Sequence, residues 1–180
     1  VTPARDEVTE RWIAELTALT ELYRAAEAAG SGEAVSHEGW HTGARIGTSA
    51  ANGRLLAYHD SGPEAECVFR AGERTLFNIM SGGYGNDTTE RGFAVWSSRP
   101  GVLGAVDSGV SRLEVTDADG VVVPAEIVAH TFAVEVDLGP EPRTIDEVFA
   151  QWEPPELTVR VYGEGDVLRY EGPLLAPSRS

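Results

Sequence analysis

The sequence predicts a mainly β protein. It reads as an antiparallel β-sandwich preceded by one long amphipathic helix, with a short second helix near residues 145–152. Three observations predict this. From Trp40 onward, short β-prone runs are broken every ten residues or so by Gly, Asn, Asp and Pro. The strand–helix alternation of a dinucleotide fold is missing, and SGGYG at 81–85 has glycines but no helical pattern after it. The one long helical periodicity is confined to the first 30 residues.

With 180 residues, 42% of them hydrophobic, the chain is long enough to build a core of its own. The expected organisation is a helix over 1–30, a β-rich region over 31–101 with a loop at 81–92, and a sandwich portion over 102–176. The last two are expected to form one compact unit.

In the helix, Val8, Trp12, Leu16, Leu19, Tyr23 and Ala26 recur at spacings of three and four, which keeps them on one face. Thr2 is a suitable N-cap with Pro3 at the first helical position, and Gly30 stops the helix. Such a stripe needs a partner surface, either this chain's own sheet or another protein, and Trp12 is its largest anchor. Farther on, Asn52-Gly53 reads as a hairpin turn before Leu55–Tyr58, and Ala71-Gly72-Glu73 as a second hairpin. Phe93–Trp96 resumes strand character until Arg99-Pro100-Gly101 breaks it. Leu113 and Val115 alternate with polar neighbours, and Asp117–Gly120 turns the chain into Val121–Val123, which Pro124 marks as an edge or bulged strand. Phe132, Val134, Val136 and Leu138 alternate with Thr131, Ala133, Glu135 and Asp137, predicting one buried and one wet face. Thr144–Glu147 is a capping box for the short helix, whose face is Ile145, Val148, Phe149 and Trp152. Leu157, Val159 and Val161 then pair with Val167–Tyr170 across Gly163-Glu164-Gly165.

A formal charge of −15 excludes a nucleic-acid binder, which needs a basic footprint to replace phosphate counterions. No apolar run is long enough to span a membrane, so no direct insertion by this chain is expected. Cys67 stands alone in an apolar run, so it reads as a core residue rather than a nucleophile. The chain begins at Val1 and its one methionine is Met80, which reads as a trimmed piece of a longer protein.

Residues 102–169 resemble the Ig-like β-sandwich module of secreted and membrane-anchored actinobacterial proteins, among them anti-sigma-factor-like and uncharacterised ones. The resemblance rests on Gly109–Val115, Asp119-Gly120, Val123–Val128 and Thr131–Ala133. Val159–Gly163 and Gly165–Leu168 resemble the module's closing hairpin. The sequence departs at Ala129-His130, where such modules turn through Asn-Gly or Asp-Gly. The resemblance implies a secreted or cell-envelope, extracytoplasmic location and a binding, sensing or scaffolding role. It carries no catalytic residues.

One motif has chemistry in it. His37-Glu38-Gly39-Trp40-His41 matches H-E-x-x-H, in which a helix stacks two imidazoles on one zinc ion and the glutamate acts as general base. The context opposes it. Gly32, Gly39 and Gly43 each cost roughly 1 kcal/mol in a helix interior, and a third ligand would have to be Glu64, Glu66 or His59, none of which spacing identifies. The expected function is therefore a non-enzymatic binding domain with a protein partner and no cofactor or metal. Trp12 and Tyr84 are its candidate partner-binding residues; Tyr84 sits between glycines. The alternatives are a small zinc-dependent hydrolase using His37, His41 and Glu38, and a structural subunit of an assembly.

Overall fold

The computed structural model describes residues 39–47, 53–60, 64–70, 73–80, 90–98, 101–139 and 155–175, with the single positions Ala14 and Thr144. Among them, twelve strands form three four-stranded antiparallel sheets. The predicted mainly β, antiparallel architecture is therefore present. The N-terminal helix and the 145–152 helix lie outside the described residues, as do Trp12, His37, Glu38 and Tyr84. The chain divides into two compact units, Val1–Gly83 and Tyr84–Ser180.

The first unit holds a meander of β1 (Trp40–Ile46), β2 (Gly53–His59), β3 (Glu64–Arg70) and β4 (Glu73–Met80), paired in that order. Arg70 pairs with Glu73, so Ala71-Gly72 is the two-residue link between β3 and β4. The Asn52-Gly53 expectation needs correcting. Gly53 is already inside β2, opposite Phe69, and residues 47–52 connect β1 to β2. The dipeptide signal is local, and here the register set by Ile46 against Arg54 overrides it. Arg54, Leu55, Leu56 and Ala57 are buried in succession, so β2 is covered on both faces. Its near-continuous apolar run is what such a strand requires.

The second unit contains β5 (Phe93–Ser98), β6 (Val102–Val106), β7 (Arg112–Thr116), β8 (Val122–Pro124), β9 (Glu126–Val128), β10 (Thr131–Val134), β11 (Thr158–Tyr162) and β12 (Leu168–Pro173). A 3-10 turn, η1 (Glu164–Asp166), caps the β11–β12 hairpin. The sheets run β5-β6-β10-β9 and β12-β11-β7-β8. Their facing side chains form one core, with Phe93, Val102, Phe132 and Val134 from the first meeting Leu113, Val115, Val159 and Val161 from the second. The arrangement is sandwich-like. Alternation along β7 and β11 makes it so, since every second residue is a buried aliphatic and the intervening ones reach solvent. Phe93 meets Phe132 and Tyr170 edge-on, with ring centroids 6.2 and 5.9 Å apart.

One expectation changes here. The wet face predicted for 131–138 is wet at Glu135 and Asp137 alone. Thr131 is 0% and Ala133 3% exposed, so all of β10 is buried, and so is all of β6. On β6 and β10, with Ala94 beside them on β5, the side chains of the far face are small or aliphatic: Ala94, Leu103, Ala105, Thr131 and Ala133. Such a surface is compatible with cover as well as with solvent, and alternation does not tell the two apart. Gly104 answers a second close approach. A Cβ there would lie 2.0 Å from the Ala94 carbonyl oxygen and 2.7 Å from the Phe132 ring, so any side chain would push the strands apart.

The turn at Ala129-His130 does close a hairpin, with Val128 opposite Thr131. Ala129 takes φ +52° to make it, in the left-handed region that Gly or Asn enters more easily. Thr131 Oγ1 donates to the Val128 carbonyl at 2.7 Å across the neck.

Candidate functional site

The histidine motif ends on a strand. β1 starts at Trp40, so His41 stands on extended backbone and the helical pitch required by H-E-x-x-H is absent at its second histidine. That corrects the helical alternative at this position; His37 and Glu38 lie outside the described residues. Gly39 takes φ +96°, and its carbonyl accepts from Asp60 N at 3.1 Å, closing the β1–β2 ladder. A Cβ at Gly39 would come within 3.0 Å of His59 Nε2 and 3.1 Å of Asp60 Oδ2. The glycine that argued against a helix is thus required by this strand end.

Cross-strand register brings side chains together that are far apart in sequence. His41 lies opposite Tyr58, and Tyr58 lies opposite Glu64 on β3, so the three form one row across the sheet. The His41 and Tyr58 rings stack with centroids 5.2 Å apart. His41 Nε2 is 2.6 Å from Asp60 Oδ1, an ionic contact when the imidazole is protonated. Sequence reasoning missed Asp60 and Tyr58, and named Glu64 only as one possible third zinc ligand. Nothing near the histidine in sequence marks them, because the pairing register alone selects them. A carboxylate that orients an imidazole is half of an acid–base apparatus. The other half is a nucleophile or ligand set. Among the described residues, the His41 ring has Asp60 as its one hydrogen-bond partner, and no three His, Cys, Asp or Glu are gathered to hold a metal ion.

Near this row, Arg54 and Glu66 form a buried ion pair, 3% and 4% exposed, through both the Nε and a terminal nitrogen of the guanidinium. Arg54 Nε donates to Glu66 Oε1 at 2.9 Å. Arg54 was not singled out in the sequence; Glu66 was, as a possible third zinc ligand rather than as the partner of a buried cation.

In the second unit, the outward face of β12-β11-β7-β8 carries a charge ladder. Arg160 faces Glu114 on one neighbouring strand and Glu171 on the other, and its Nε donates to Glu171 Oε2 at 3.1 Å. That hydrogen bond and the nearby carboxylates hold its guanidinium pKa above the usual value. Arg112 reaches Glu114 and Asp166 and lies over the Tyr162 ring, 3.7 Å from its centroid. At one end of the sheet, Arg169 Nη2 donates to Asp107 Oδ2 at 3.0 Å. Asp107 also accepts from Gly109 N at 3.1 Å, and chiefly this bond, with the Arg169 one, holds its carboxyl below the ordinary 3.8. Among the described residues, the large hydrophobics that stay exposed are Val121, Val122, Val167 and Leu168. All four border this sheet, at the β7–β8 turn and the β11–β12 hairpin.

No helix among the described residues is long and apolar enough to cross a membrane. No family model, curated protein or solved structure matches the chain.

Proposed function

We propose that this chain is a non-enzymatic binding domain that holds or senses another protein outside the cytoplasm. One contrast carries the reading. The arginines described in the second unit are committed to carboxylates or rings of their own unit, whereas the exposed aliphatics gather around a single sheet. Self-paired cations hold a surface in shape without offering a site for an anionic substrate. Aliphatics at the two ends of a stiff sheet, flanked by arginine and tyrosine, have the composition of protein-binding surfaces. The envelope location rests on the resemblance of residues 102–169 to the Ig-like module.

Crosslinking of the full-length protein in intact cells tests the reading. A product that forms with the parent and is lost in Val122→Glu and Leu168→Glu is the expected result; a product indifferent to both would overturn the role of this sheet. Recovery of the protein with the cytoplasmic fraction would overturn the location. The hydrolase alternative has its own test, the zinc retained after dialysis. Equimolar zinc that disappears in His41→Ala, together with peptide hydrolysis, would replace the binding reading.

A further inference from the structure

We draw no further inference here: the strongest candidate, the outer face of the β12-β11-β7-β8 sheet with exposed Val121, Val122, Val167 and Leu168 at its ends, carries nothing beyond the binding role already proposed, because nothing in the structure shows what covers it.

Discussion

Ala129 holds a backbone conformation that costs an L-residue roughly 1–2 kcal/mol. Glycine would remove that cost and lose part of the gain to its freer unfolded chain. Ala129→Gly is therefore expected to stabilise the protein by about 0.5–1 kcal/mol in urea unfolding, while Ala129→Val destabilises it. Asp107 gives a pH-dependent counterpart. Its folded pKa lies below the ordinary 3.8, so its contribution is complete above 3.8 and is lost as pH falls through the folded value. Asp107→Asn should thus be less stable than the parent at neutral pH, and the gap should close in strong acid. A gap constant over that range would show that the carboxylate's charge is not what ties it to Gly109 and Arg169. Nothing in the sequence names Arg169 as its partner, 62 positions away. Local hydrogen bonding is readable from spacing; a partner supplied by another hairpin is not.

Register decides what each strand contributes. Arg54 and Glu66 sit on adjacent strands, Arg54 opposite Val68 and Leu56 opposite Glu66, so the ion pair runs diagonally across the β2–β3 ladder. Glu66→Ala takes a compensating carboxylate from a guanidinium that is 3% exposed, and is expected to cost about 3–5 kcal/mol. The double change Arg54→Met with Glu66→Leu should recover most of that loss, since no charge is then left buried. Thermal unfolding of the three proteins checks both statements; equal losses in the single and double variants would contradict them. At this scale much was legible. The hairpins at Asp117–Gly120 and Gly163–Gly165 appear where turn chemistry put them, and the one read at Ala71-Gly72-Glu73 joins β3 to β4 with Glu73 already paired in β4. Leu113, Val115, Leu157, Val159 and Val161 all point inward as their alternation implied. What escaped were features without a local signature. The extra residue at Trp96 shifts the β5 register, and Ala94, Ala105 and Ala133 suit a buried face as well as a wet one. The strand beneath His41 escaped for a related reason, because a five-residue motif states which atoms are present but not the pitch of the backbone beneath them.

For the molecule as a whole, the guarded sheet edges matter most. In the β7–β8 ladder, Ala125 N donates to the Leu113 carbonyl and Asp117 N to that of Val121, so Pro124 falls at a position whose nitrogen faces away from β7. The same phase holds at the opposite edge, where Leu174 N donates to Leu157 and Pro173 turns its ring nitrogen outward from β11. Both edges therefore lack a donor that an incoming strand would use, and the register shift near Leu168 bends β12 further from a template. Strand addition to this sheet is hindered at these two positions. Light scattering on Pro124→Thr with Pro173→Thr should show larger species than the parent at equal concentration; no difference would mean that something else closes these edges. The β5-β6-β10-β9 sheet has a different consequence. Because β6 and β10 are withdrawn from water on both sides, their amides should be the last to trade protium for deuterium. Their protection factors then report the opening of the entire second unit, while those of β8 and β12 report local fraying.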